Sequence, residues 1–324
     1  MQILDNVKKV PGGLLLVPMA ITAIINTIFP GALRIGGPLS GICSPLGTQS
    51  FIGMMLLVAG SQVKASQLGG TFARGGVLVI ARIIIGFITA WLCLKFLGLD
   101  GIFGASTLTL VIIMASCNPG IYMGLMNDFG DNVDKAAVGI ITLIGTPQVS
   151  LLILSVVSGG GINVLLVILS ILVPFLIGVL LGNLDEKIRG FFATGTPISL
   201  VFIGACLGSA INLYAFKAIG IANIFILALV VFVSIPLMLL VDKLILRRPG
   251  YASVAFSTIG GISVAAPSLV GSLLPQYKPY VDIATAQCAL TVILASIVVP
   301  YICKWVVKKF GSGKEAAPAP AAAK

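Results

Sequence analysis

Two short stretches of this 324-residue chain set helix-breaking residues and polar side chains inside apolar sequence. The first reads ASCNPGIYMGLMNDFG over residues 115–130, and the second GGISVAAPSLVGS over residues 260–272. Asn118 is a good helix N-cap and Pro119 suits the first helical position, so Asn-Pro-Gly can end one helix and start another. Pro267 can restart a helix in the second stretch, although Ala266 caps poorly. Each restarted helix would aim N–H groups and a positive dipole end into the apolar interior. Such an end favours an anion by roughly 0.3–2 kcal/mol.

The neighbouring side chains suit a polyol carboxylate. Ser116, Asn118, Gly120 and Tyr122 surround the first break, and Ser263 and Ser268 the second; Gln49 belongs to a further polar cluster. Hydroxyls and amides can hydrogen-bond the ligand while the dipole ends take its charge. Arg82, inside an apolar run, either snorkels to a membrane surface or partners the carboxylate. Thr142, Thr146, Gln148 and Gln287, with Asn118, offer neutral oxygens that could hold Na⁺ but cannot carry a proton. The same groups also serve ordinary hydrogen bonding between membrane helices. No histidine occurs, which removes His-ligated metals, serine–histidine catalysis and His proton relays together. No resident metal or cofactor is expected, and an enzyme is disfavoured. The six cysteines are dispersed without a CxxC spacing and read as small buried hydrophobes.

The elements that position these residues are membrane spans. The chain is 58% hydrophobic and 9% charged, against about 25% charged residues in a soluble domain. Apolar runs last about 20 residues without polar alternation, which favours helices over a barrel. Ten spans are expected, near 12–31, 46–63, 75–97, 101–127, 135–158, 162–182, 195–216, 219–241, 251–275 and 281–303. Lys8 and Lys9 give the first the look of a signal peptide, but no clear cleavage site follows and it is kept as a span. With the N-terminus inside, 15 Lys/Arg fall on the cytoplasmic side, 4 on the other and Arg82 within span three. The +10 charge is then topological, with both termini cytoplasmic and no nucleic-acid partner. From Gly311 the composition turns to GSGKEAAPAPAAAK, a disordered tail or linker over 311–324.

Five spans per half invert the second half relative to the first, giving repeats over 1–158 and 159–310. Pro119 and Pro267 are 148 residues apart (267 − 119), as are the glycines at 12 and 160 that open each half. Matched interruptions are the best sequence pointer to a secondary transporter's binding site. Three GxxxG matches, at 120–124, 178–182 and 204–208, read as close helix packing. All ten acids fall at span ends or in loops, with Asp128 and Asp242 at cytoplasmic ends read as solvated or cap-like, a proton or gating role being the alternative.

The segments MQILDNVKKVPGGLLLVPM, NPGIYMGLMNDFG, GNLDEKIRGFF and LLPQYKPY, in order from Met1 to about Lys309, together resemble the bacterial 2-keto-3-deoxygluconate permease family. The resemblance implies a proton symporter for sugar acids in the bacterial inner membrane. It also implies the fold of the bile-acid/arsenite/riboflavin transporter superfamily: ten helices in inverted repeats, with spans four and nine discontinuous and crossing. Where that family's pattern carries acids, this chain has Ala115, Ile144 and Asn212. Two alternatives stay open beside the proton symporter of a sugar-acid anion. One is an Na⁺-coupled symporter of the same fold; the other is a passive facilitator or channel.

Overall fold

The computed structural model describes residues 2–9, 13–65, 68–211, 213–214 and 220–314. Gly12, Asn212, Lys217 and the tail from residue 315 lie outside the described residues. Every regular element among those described is helical. Seven helices are long and apolar enough to cross a membrane, the bent pair Val138–Ile144 and Pro147–Ser158 makes an eighth, and Gly13–Ile28 and Leu46–Ser61 are two shorter apolar helices, ten segments in all. They run Gly13–Ile28, Leu46–Ser61, Gly69–Phe96, Thr107–Phe129, the bent pair, Val164–Leu184, Glu186–Gly208, Gly220–Leu244, Tyr251–Leu273 and Pro275–Phe310. They are called spans one to ten below.

The spans sort into two bundles by what they touch. Span one packs along span seven, span two along span six, and span two also meets span seven. Glycines make these approaches close. A Cβ added at Gly204 or Gly208 would overlap the carbonyl oxygens of Leu15 or Met19, and one at Gly178 or Gly182 those of Leu57 or Ser61. Two of the three GxxxG matches are therefore packing motifs. The third is not: a Cβ at Gly124 would meet nothing within 4 Å.

Spans three, four, five, eight, nine and ten form the second bundle, with four and nine at its centre. In span nine 89% of the apolar window is buried and in span four 67%, against 17–28% in spans three, six, seven and eight. Every residue of Thr107–Ala115 and of Tyr251–Phe256 is buried. Central placement makes interruption tolerable here, because non-helical backbone at membrane depth needs protein or water around it.

The tail expected to be disordered from Gly311 begins packed. Ser312 and Gly313 are buried, and the Gly313 N–H donates to Phe129 O at 2.9 Å. That bond satisfies a carbonyl at the end of span four.

Candidate functional site: two crossed breaks beside an interbundle cavity

Span four stops at Ala115, runs extended through Ser116–Asn118 and restarts at Pro119. The Asn118 side chain accepts from the N–H groups of Gly120 (3.1 Å) and Ile121 (3.2 Å), the N-cap that its residue type foretold. Those first-turn donors are thereby occupied, so the half-helix offers the cavity its dipole field and the Asn118 amide rather than bare N–H groups.

Span nine breaks earlier than its proline suggests. Tyr251–Phe256 ends at Ser257, the chain turns through Gly260, one 3₁₀ turn covers Gly261–Ala265, and Ala266–Leu273 continues it. Pro267 sits in the first α-helical turn, where its missing N–H costs nothing. Glycine is what permits the crossing: a Cβ on Gly260 would overlap Cys117 O. The two breaks are bonded, the Asn118 N–H to Thr258 Oγ1 at 3.2 Å and Asn118 Nδ2 to Ile259 O at 3.3 Å.

Between the bundles lies a cavity of about 890 Å³. One bundle contributes Gly13–Leu16, Met55, Ala59, Gln62, Val63, Thr196 and Leu200. The other contributes Asn118–Ile121, Met123–Leu125, the Asn132–Gly139 region, Thr142, Gly145, Gly260–Ile262 and part of span ten. Gly120 and Gly124, the third GxxxG, line it. Lys135 is the one charged side chain among the described lining residues, and no acid joins it. A wall with one cation, amides, hydroxyls and a helix dipole end suits an anion.

Residues 4–312 match the 2-keto-3-deoxygluconate permease family. The chain belongs to that family. Relatives with the printed name 2-keto-3-deoxygluconate permease include one from Enterobacter sp. (strain 638), 32% identical over 96% of this chain and 95% of its own. Another, from Xanthomonas euvesicatoria pv. vesicatoria (strain 85-10), is 33% identical over 93% and 96%. Both are permeases, so this chain is a membrane transporter rather than an enzyme. Among solved structures, the sodium proton antiporter MjNhaP1 from Methanocaldococcus jannaschii at pH 8 superposes with a TM-score of 0.56, covering 96% of this chain and 100% of that one. At 15% identity, that likeness is one of fold.

Within this permease fold the sequence-expected site residues separate. Asn118, Gly120 and Thr142 reach the cavity; the Thr142 hydroxyl donates to Val138 O at 2.8 Å and keeps its lone pairs. Ser116 and Ser263 lie at the crossing, buried and off the cavity wall, and both hydroxyls lack a partner. Tyr122 points away: it is 1% exposed, with its ring edge-on to Phe256 at 6.4 Å. Ser268 touches neither cavity. Thr146 sits at the 47° bend of span five, its hydroxyl on Leu143 O.

Gln287 is far from either break. It bonds Gly104 O and Thr109 Oγ1, both at 2.7 Å, near the opposite end of span four, because it lies only one turn and a half into the final helix. Gln49 and Gln148 hydrogen-bond each other at 2.7 Å in a second cavity of about 310 Å³, bordered by spans two, five, six and nine. Their bond joins the two bundles there.

Arg82 neither snorkels nor faces the cavity. It is 0% exposed, and its guanidinium donates to Ser116 O and Ile113 O, each at 3.0 Å, and to Ser234 Oγ. It thus caps the carbonyl end of Thr107–Ala115, where a cation is favoured by the dipole. Burial of the guanidinium is offset because three of its donors find acceptors.

Sequence reasoning missed Lys135 and what holds it. The short helix Asn132–Ala136, which carries Asn132 and Lys135 on the cavity wall, is closed by a capping box between Asp131 and Asp134. Asp134 accepts from both terminal nitrogens of Arg248 at 2.6 Å and from the Tyr251 hydroxyl at 2.6 Å; Arg74 bridges Asp131 and Asp134. Burial would raise the Asp131 carboxyl, but hydrogen bonds from Arg74 and the Asp134 amide outweigh it and hold it below the usual carboxylate value. Burial likewise opposes the Arg248 charge, and the Asp134 carboxylate overcomes that and holds Arg248 above the ordinary arginine value. The only sequence signal was the acid–base density of 128–135, which counted toward topology alone.

Proposed function

We propose that the chain imports 2-keto-3-deoxygluconate, or a closely similar sugar-acid anion, across the bacterial inner membrane together with protons. The observation that carries this reading is the interbundle cavity at Asn118 whose one charged wall residue is Lys135. Its size fits the range of small-molecule sites, and the relatives' name supplies the substrate class. The basic residues put Lys135 and both termini on the cytoplasmic side, so the cavity as seen faces inward. The Gln49–Gln148 pair then closes the outer side. The halves 1–158 and 159–310 act as inverted repeats, supported by the partner exchange in which span one meets seven and span two meets six.

A second reading, Na⁺ as the coupling ion, is favoured by the unpartnered hydroxyls of Ser116 and Ser263 at the crossing, neutral oxygens of the kind Na⁺ takes. Uptake into proteoliposomes separates the two. Accumulation driven by an inward-directed proton gradient in choline medium supports proton coupling. Accumulation that requires Na⁺ and ignores the gradient supports the second reading, and equilibration without accumulation would mean a facilitator.

A further inference from the structure

Two carboxyl groups are wholly buried among the described residues, and their surroundings differ sharply. Asp134 has a partner for each oxygen in Arg248 and Tyr251. Asp242, two residues before the end of span eight, is equally buried yet joins no ion pair among the described residues. Its Oδ2 accepts one long bond, 3.3 Å from the Ser253 N–H, and its Oδ1 accepts none. The sequence had suggested a solvated or cap-like acid at this span end; the packing of residues 251–256 against it removes the water instead.

Of the charged groups around Asp242, Arg248 favours its ionised form and Asp134 opposes it, and none forms an ion pair with it among the described residues. Arg248, from the following loop, directs both terminal nitrogens to Asp134. Lys243, its neighbour, stands over the Phe310 ring. Span nine presents Tyr251, which donates to Asp134, and span three presents Arg82, whose bonds go to Ser116, Ile113 and Ser234. Asp134 adds a like charge, and span four presents Tyr122. A buried carboxylate whose only hydrogen-bond donors among the described residues come from Ser253 is costly when ionised and loses most of that cost when protonated.

We propose that Asp242 carries the coupled proton, an inference that rests on the proton-symport reading above. Ser253, the residue Asp242 holds, belongs to Tyr251–Phe256; Phe256 meets Tyr122, and Tyr122 belongs to the half-helix that Asn118 caps. Asp242 therefore stands one helix behind the cavity wall, in surroundings of low dielectric where a charge is felt across that layer. Ionised, it opposes an anion at Asn118; protonated, it does not. The coupling is reciprocal, so the bound anion raises the proton affinity of Asp242 by the same factor. Anion and proton are then bound together and released together, so a monoanion and its proton move no net charge.

The experiment uses the purified full chain, with 2-keto-3-deoxygluconate as probe, and measures binding against pH together with proteoliposome uptake. In the parent, affinity should fall about tenfold or more as pH rises from 5.5 to 8.5. In Asp242→Asn that dependence should flatten, gradient-driven accumulation should vanish, and counterflow exchange of labelled for unlabelled substrate should persist. The exposed control Glu186→Gln should follow the parent. If Asp242→Asn accumulates substrate as the parent does, Asp242 is not the carrier although proton symport stands. If the parent itself ignores the proton gradient, proton symport fails and the proposal with it. Should the Asn variant not fold, Asp242→Glu decides: its longer carboxyl should displace the pH at which affinity is lost, and an unchanged profile overturns the proposal.

Discussion

The two breaks cross and bond each other, yet they are built from different chemistry. The first is polar and self-capped: Asn118 satisfies its own half-helix and turns the rest of its amide toward the second break and the cavity. The second is made of glycine, with no side chain cap on Gly260 or Ala265, and its value is closeness to Cys117 O. On the proposed function, the first break supplies recognition and the second supplies room. Perturbing the second should therefore damage the architecture, while perturbing the first should damage binding.

The largest effect is expected at Gly260. In Gly260→Ala the new Cβ overlaps a backbone carbonyl, which cannot give way as a flexible side chain would. Overpacking of this kind costs about 1–3 kcal/mol. We expect a lower detergent melting temperature and transport below detection, measured on the same preparation. Asn118→Ala should separate those readouts. Losing the cap costs about 1 kcal/mol, which the folded bundle survives, whereas substrate affinity should fall about tenfold, or about 1.4 kcal/mol.

Lys135→Gln should act on affinity alone. Its charge stands half-buried on the cavity wall and is partly screened, so a severalfold rise in KM at low ionic strength, shrinking as salt is added, is the expected signature. An unchanged KM would remove the cation from the recognition argument. The smallest effect belongs to Ser268→Ala, which lies in neither cavity and should stay within about twofold of the parent in transport and within about 0.5 kcal/mol in stability.

The contrast also marks what could be read from sequence. Apolar run length located the ten helical segments, of which seven, or eight with the bent pair, are long enough to span, because the hydrocarbon thickness sets that length directly. Asn-Pro located the first break and its cap, because both are local backbone preferences. The glycines at 260 and 261 and Pro267 together bracketed the second break; what the sequence could not show is that Gly260 is needed for the approach of a distant segment, Cys117 O, and that Pro267 sits harmlessly in a first turn. Side-chain direction was the weakest inference. Tyr122 turns into its own bundle, Gln287 serves the other end of span four, and Arg82 serves helix carbonyls, all outcomes of tertiary packing. Asp242 looked wet because hydropathy cannot see the helix that folds over it. Lys135 was visible as a charge but not as a wall residue, since its place depends on Arg74, Asp134 and Arg248, which are separated by up to 174 residues (248 − 74).

The claim at the centre of this account is that the cavity beside Asn118 binds a sugar-acid anion. Titrating purified parent, Asn118→Ala and Asn118→Asp with 2-keto-3-deoxygluconate by calorimetry tests it most directly. The parent should bind, the Ala variant about tenfold more weakly, and the Asp variant more weakly still, because aspartate keeps the helix cap and places a like charge where the carboxylate must sit. Binding by Asn118→Asp as tight as that of the parent would contradict it.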